Sequence, residues 1–129
     1  MTAVERLVTT VDVDDRALDD GRVSVRALHE AVLTDGRRLL LLDDRGWASS
    51  AAWTAVSVAD VEETTRVVVG PDEPAEGSTW EEAQADHWNH LARTLQAHGV
   101  SVDAGDLRRL PHDVALGDRL RARLTRGPR

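Results

Sequence analysis

The chain contains no lysine, isoleucine, phenylalanine, tyrosine or cysteine. Except for cysteine, these residues have AT-rich codons, and all 16 basic side chains are arginine, so the composition indicates a very GC-rich bacterial genome of actinobacterial character. Without cysteine there can be no disulfide, thiolate metal ligand or cysteine nucleophile, which fits a reducing compartment. The core must be built from Val, Leu and Ala, and its only bulky side chains are Trp47, Trp53, Trp80 and Trp88.

Long apolar segments are also absent. The longest uninterrupted apolar run is Leu39 to Leu42, which is far too short to span a bilayer, and no N-terminal stretch combines cations with a long apolar run. We therefore predict a cytoplasmic protein that does not bind membranes. Its length is typical of one domain, and we expect a single domain over residues 1–129 with a frayed tail at about 125–129.

The charge is acidic and unevenly distributed. A formal net charge of −7 disfavours non-specific binding to nucleic acid, which requires clustered cations that face the phosphates. From Arg108 onward, however, the chain carries seven arginines and only two acidic residues, Asp113 and Asp118. A basic segment of this kind more often folds back on an acidic body than binds RNA or DNA.

The first half of the chain has the pattern of a β-sheet. In residues 4–13, the side chains of Leu7, Thr9, Val11 and Val13 share one parity, as a half-buried strand requires. The run from Leu39 to Leu42 is apolar on both faces, which predicts an interior strand. Residues 22–33 fit either a short helix capped by Ser24 or a hairpin whose strand covers residues 27–33. We favour the strand, because Asp35-Gly36 is a strong hairpin turn.

The second half has the pattern of helices. Ser57 is placed to cap a helix that stops at Gly70-Pro71, and a longer helix runs from about Thr79 to His98 with a capping box at Ser78 and Glu81. Two short helices, at 103–110 and 114–124, follow on either side of Pro111. The predicted fold class is therefore α+β, with a two- or three-stranded, mainly antiparallel sheet in the N-terminal half covered by four helices of the C-terminal half.

Three histidines form the candidate metal site. His87 and His90 lie three residues apart on the long helix, a spacing that allows two imidazoles to bind one metal, and His112 could supply a third ligand. The helical wheel argues against this site, because His87 lies at the edge of the apolar stripe while His90 faces outward. We therefore predict no cofactor and keep a small metal-dependent enzyme as the alternative hypothesis.

Common catalytic motifs are missing. The chain has no Walker loop, GxGxxG, HExxH or nucleophile elbow. Residues 42–47 instead combine two acids, an arginine, a glycine and a tryptophan after an apolar strand, which is typical of a binding hot spot. The alternative is a turn in which the arginine pairs with a neighbouring acid and the tryptophan covers the core. The predicted partner-binding residues are Asp43, Asp44, Arg45, Trp47, Asp72 and Glu73.

A short acidic domain with a small sheet and no catalytic signature is similar in general character to bacterial immunity and accessory proteins. We predict a non-enzymatic interaction module that binds a basic protein partner through an acidic face. Three regions build that face: residues 12–20, Asp43 with Asp44, and residues 72–76. A small sheet also has edges to protect, which makes pairing of two copies in a homodimer an alternative.

Overall fold

The computed structural model describes residues 3–14, 22–52 and 56–125. Its strands are β1 (Val4–Val13), β2 (Arg22–Leu33), β3 (Arg38–Ala52) and β4 (His112–Leu116). Its helices are α1 (Val58–Val68), α2 (Trp80–Ala97), α3 (Ala104–Arg109) and α4 (Asp118–Thr125). The predicted α+β class is confirmed. Trp53 and all but the first residue of the predicted frayed tail at 125–129 lie outside the described residues.

The sheet has four strands in the order β3-β2-β1-β4. Antiparallel pairing joins β1 to β2 and β2 to β3, whereas β4 is parallel to β1. The prediction of two or three strands was therefore wrong. The additional strand comes from the segment that we expected to begin a helix at Val114. Val114 and Leu116 alternate with more exposed neighbours, as in a strand, and the helix begins only at Asp118, after Gly117.

The β2–β3 hairpin confirms the strand interpretation of residues 22–33. Gly36 occupies the turn with a φ of +89°, a conformation that glycine adopts without steric cost. The Gly36 amide donates to the Leu33 carbonyl at 2.9 Å, and the Leu33 amide donates to the Arg37 carbonyl at 2.8 Å. The hairpin extends further than expected, because β2 already begins at Arg22.

Strand β3 lies at the edge of the sheet, so the prediction of an interior strand at Leu39–Leu42 was wrong. Leu40 is 43% exposed, whereas Leu41 and Leu42 are both 7% exposed. The β2–β3 register shifts twice around His29, and this irregularity lets two consecutive leucines both be buried. A continuous apolar run that spans a bulge therefore has the same sequence pattern as a strand that is covered on both faces.

One face of the sheet carries the core. Residues paired across strands share a face, and the buried members of β1 and β2 on this face pack with buried leucines and valines of all four helices. In α2, Leu91 and Leu95 are fully buried, which confirms the predicted apolar stripe. Trp47 and Trp88 pack against the core only partly buried, and Trp80 is 58% exposed. Aliphatic side chains therefore fill the described core.

Asp12 stabilises the start of α4 from across the chain. Its Oδ1 accepts hydrogen bonds from the backbone amides of Leu120 at 2.9 Å and Val13 at 2.8 Å. A carboxylate at a helix N-terminus satisfies free amides and interacts favourably with the helix dipole. Asp12 therefore has a structural role, in contrast to its predicted place in an acidic face. Residues 15–20 of that predicted face lie outside the described residues.

The caps of α1 and α2 follow local sequence rules, with one shift. Ser57 forms the predicted N-cap of α1 and a reciprocal capping box with Asp60. For α2, the N-cap is Thr79, whose hydroxyl accepts from the Glu82 amide at 3.2 Å. The predicted cap at Ser78 was wrong. The capping pattern occurs twice, shifted by one residue, because Ser78 precedes Glu81 and Thr79 precedes Glu82 by the same three positions.

No helix among the described residues has both the length and the hydropathy to cross a lipid bilayer.

Replacing Thr79 with alanine is expected to lower the free energy of unfolding by about 1 kcal/mol, because one amide of the first α2 turn loses its acceptor. Urea denaturation measured by circular dichroism checks this value. Ser78→Ala is the matched control and should change the stability by less than about 0.5 kcal/mol. An equal or larger loss in the Ser78 variant would assign the cap to Ser78.

Candidate functional site

A cleft of about 290 Å³ lies between α2, the segment after α1 and strand β3. Its charged and titratable lining residues are Arg45, Asp72, Glu73, Asp86, His87 and His90. Three of them belong to the predicted partner-binding set, and the two histidines belong to the predicted metal set. The fold therefore brings together residues of two separate predicted sites.

Arg45 connects the elements around this cleft. Its Nη1 lies 2.9 Å from Asp72 Oδ1 and also donates to the carbonyl of Val68, the last residue of α1, at 3.2 Å. Its Nε lies 3.6 Å from Asp44 Oδ1. The Arg45 side chain is 21% exposed, whereas those of Asp44 and Asp72 are 78% and 79% exposed. The guanidinium thus fixes strand β3 to the segment after α1 and leaves the carboxylates at the surface.

The remaining residues of the predicted hot spot have different environments. Asp43 and Asp44 are exposed and lie where the register of β3 shifts against β2. Trp47 pairs with Val25, so it lies on the core side of the sheet, where it is half-buried against the hydrophobic cluster. It lines a second depression together with residues of α1, among them Asp60 and Glu63. Asp44, Asp72 and Glu73 therefore lie around Arg45, and Trp47 covers the core.

His87 lies in the wall of the cleft as a neutral imidazole. Desolvation, followed by the charge of Arg45, lowers its pKa below the ordinary histidine value. Its ring packs edge-on against Trp88 with a centroid distance of 5.1 Å. The Nε2 atom is buried and has no hydrogen-bond partner among the described residues. Because the imidazole is neutral, the cleft combines three carboxylates with one arginine and retains an acidic character.

The predicted metal ligands do not form one group. His87 and His90 line the cleft, but His112 lies in β4 and contacts Thr9. Among the described residues, no group of three or more His, Asp or Glu side chains could hold a metal ion. The spacing of the two helical histidines carries no information about the third, because His112 lies in a strand that is defined only by its pairing with β1.

A buried polar cluster, formed by Thr9, His29 and His112, was missed by the sequence analysis. Thr9 Oγ1 lies 2.7 Å from His29 Nδ1 and 2.7 Å from His112 Nε2. The two rings meet edge-on with a centroid distance of 5.1 Å. Thr9 is 0% and His29 2% exposed, although neither is apolar. The available signal was parity, because each residue alternates in phase with the buried residues of its strand.

The histidines of the buried polar cluster are neutral at pH 7. Burial is the main cause that lowers the pKa of His29 to about 3, with further contributions from His112, His87 and Arg45. Burial also lowers the pKa of His112, assisted by Arg66 of α1 and opposed by Asp113. Thr9 and His29 are closed to solvent in this conformation, whereas His112 is only partly buried. The role of the cluster in the described fold is structural.

Comparisons with protein-family models, with curated proteins and with solved structures find no match to this chain. No residue role can therefore be transferred from a relative. The acidic neighbourhood around Arg45 is the strongest physical basis for a function.

Proposed function

We propose that this protein is a non-enzymatic interaction module, of the immunity or accessory type, that binds a basic protein partner. The binding region is the acidic surface, defined as Asp43, Asp44, Asp72 and Glu73. All four side chains are exposed, and they come from two segments that are distant in sequence. The observation that carries the proposal is the Arg45–Asp72 ion pair of 2.9 Å, which holds these segments together.

The charge balance of the acidic surface favours a cationic partner. Among the described residues that line the cleft, Arg45 is the one arginine, and its guanidinium already contacts Asp44 and Asp72. The remaining negative charge repels anions such as nucleic acid. The net charge of −7 on the whole chain adds to this repulsion. A partner that presents arginine or lysine would relieve the repulsion between carboxylates, and its association would be fast and salt-sensitive.

The form of strand β3 supports contact through side chains. An exposed edge strand can accept a further strand from another chain, and natural proteins oppose this with charges and bulges. In β3, Asp43 and Asp44 lie at such an irregularity. The partner is therefore expected to meet projecting carboxylates at this point, and not a regular row of backbone groups.

Reversing the charge of Asp43 and Asp44 to arginine is expected to slow association with the partner by about tenfold or more at low salt, because electrostatic steering is lost. The partner would first be isolated with tagged wild-type protein from the native host as a stoichiometric, basic protein. Association rates would then be measured by stopped-flow fluorescence at two salt concentrations. The difference between variant and wild type should shrink at high salt.

The matched control is the reversal of Glu5 and Glu63, two exposed acids outside the acidic surface. This variant has the same net charge as the Asp43/Asp44 variant and should associate nearly as fast as the wild type. Equal slowing in both double variants would show that only overall charge matters. Failure to isolate any stoichiometric basic protein would contradict the proposed function itself.

A further inference from the structure

The start of strand β3, with the residue before it, has a self-complementary order of charges. Residues 37–44 read Arg-Arg-Leu-Leu-Leu-Leu-Asp-Asp, with cations at one end, anions at the other and only leucine between them. When two copies of this sequence lie side by side in opposite directions, each cationic end meets an anionic end. Such a contact is isologous, because both copies use the same surface. We call residues 37–44 the charged edge segment.

The charged edge segment lies on an open side of the sheet. Strand β3 is the first strand in the order β3-β2-β1-β4, so among the described residues it pairs with β2 on one side only. An exposed edge strand is a common place for contact with another chain. The side chains of Arg38 and Asp44 are 48% and 78% exposed, and both ends of the segment are therefore accessible from solvent.

The leucines of the charged edge segment differ in exposure. Leu41 and Leu42 are both 7% exposed and belong to the core, next to the register shifts around His29. Leu39 is half-buried against the same core. Leu40 is 43% exposed and is one of the few large apolar side chains at the described surface. The exposed apolar part of the segment is therefore centred on Leu40, near the middle between the two charged ends.

The arginines of the segment keep donors for further contacts. Arg37 Nε lies 2.8 Å from Asp35 Oδ2, and the Arg37 side chain is 61% exposed. Arg38 Nη1 lies 3.7 Å from Glu30 Oε1, which is longer than a hydrogen bond. Because a guanidinium has five N–H donors, each arginine can bind a second carboxylate while it keeps its present neighbour.

We propose that two copies of this chain associate through the charged edge segment in antiparallel orientation. The arginines of each copy contact Asp43 and Asp44 of the other copy, and the two Leu40 side chains meet near the two-fold axis. The contact is made by side chains, because the register shifts in β3 interrupt the regular row of backbone groups at the edge.

The small size of this contact makes the pair weak. Each copy contributes only residues 37–44, fewer than the roughly 20–30 residues of a standard stable interface, so the pair forms at high protein concentration. The net charge of −7 on each copy opposes association at long range. At about 0.15 M salt the Debye length is about 8 Å, which screens the repulsion between the two bodies more than it screens ion pairs in contact.

The inference does not depend on the proposed basic partner, although both contacts use Asp43 and Asp44. The second copy supplies arginine, which is the chemistry that the acidic surface favours. A partner bound at the acidic surface would therefore exclude the second copy. Self-association is measured with the purified protein alone, so a negative result there and a failure to isolate the partner are separate outcomes.

Charge reversal with complementation tests the pairing. The two full-length test variants are Asp43→Arg/Asp44→Arg and Arg37→Asp/Arg38→Asp. Each alone places like charges opposite each other and should self-associate at least about tenfold more weakly than the wild type. Their equimolar mixture restores opposite charges and should form a heterodimer at least as tight as the wild-type pair. Sedimentation equilibrium at up to about 1 mM protein and about 0.15 M salt measures these affinities.

Matched controls have the same net charges and an intact charged edge segment. Glu5→Arg/Glu63→Arg matches the first test variant, and Arg108→Asp/Arg109→Asp matches the second. All four residues are exposed and lie outside residues 37–44. Both controls should self-associate nearly as tightly as the wild type. Equal weakening in the controls would assign the effect to overall charge and overturn the proposal, as would a mixture of the two test variants that stays monomeric.

A measurement on the wild-type protein keeps the test decisive if a variant does not fold. Amide chemical shifts of residues 37–44 should change when the protein is diluted from about 1 mM to about 20 μM, because a weak pair dissociates over this range. Shifts in α3 should stay constant. Unchanged shifts in residues 37–44, or larger changes in β4 at the opposite edge of the sheet, would contradict the proposal.

Discussion

Truncating Leu95 to alanine is expected to lower the free energy of unfolding by about 3–5 kcal/mol. Leu95 is 0% exposed and packs in a described core that contains no fully buried tryptophan. Branched aliphatic side chains fill this core, so the space left by one leucine is not readily closed by a flexible neighbour. A domain of this size has a net stability of about 5–15 kcal/mol, and the loss is a large part of it.

Urea unfolding followed by tryptophan fluorescence measures the effect of Leu95→Ala, and the m-value shows whether the transition keeps its cooperativity. Leu40→Ala is the control, because Leu40 is 43% exposed on the edge strand β3. We expect it to cost less than about 1 kcal/mol. Similar losses in the two variants would mean that the core does not lie against α2.

Replacing Gly46 with alanine is expected to cost about 2–3 kcal/mol through overpacking. A Cβ atom at this position would lie 2.6 Å from the carbonyl oxygen of Val25 and 3.3 Å from the Cα of Arg26. Both are backbone atoms of β2, so neither can rotate away. Relief requires β3 to shift against β2 next to Arg45, which would also displace the Arg45–Asp72 ion pair.

The matched control for Gly46→Ala is Gly105→Ala in α3. A Cβ at Gly105 would meet only side-chain atoms, of which the nearest is Asp103 Oδ2 at 3.1 Å. Alanine also has a higher helix propensity than glycine by about 1 kcal/mol, so this variant should be neutral or stabilising. Thermal unfolding of both variants checks the contrast. A Gly46→Ala protein as stable as the wild type would contradict the close approach of β3 to the β2 backbone at Gly46.

The elements that could be predicted from sequence are those specified by nearby residues. The alternation in β1, the turn at Gly36, the cap at Ser57 and the apolar stripe of α2 all depend on interactions within a few positions. Such signals are present in any short window of sequence. The shift of the α2 cap from Ser78 to Thr79 shows their limit, because the same window contained two acceptable frames.

The features that could not be predicted depend on partners far along the chain. Strand β4 is recognisable as a strand only beside β1, with Leu7 opposite His112 in the register. The apolar run in β3 is explained by register shifts around His29, which local hydrophobicity does not reveal. Of the candidate site, Asp43, Asp44, Asp72 and Glu73 are exposed, and their role in binding stays a prediction. The meeting of Asp72 and Glu73 with His87 depends on the path of the segment between α1 and α2.

The position of β4 has a consequence for the order in which the protein folds. During synthesis, β1, β2 and β3 can pair early because their partners are close in sequence, but one side of β1 stays without its neighbour until residues 112–116 emerge. Contacts between such distant segments slow folding, since a long loop must close before they form. A chain paused or cleaved before β4 would present the unprotected side of its first strand, which makes that species the one most prone to aggregate.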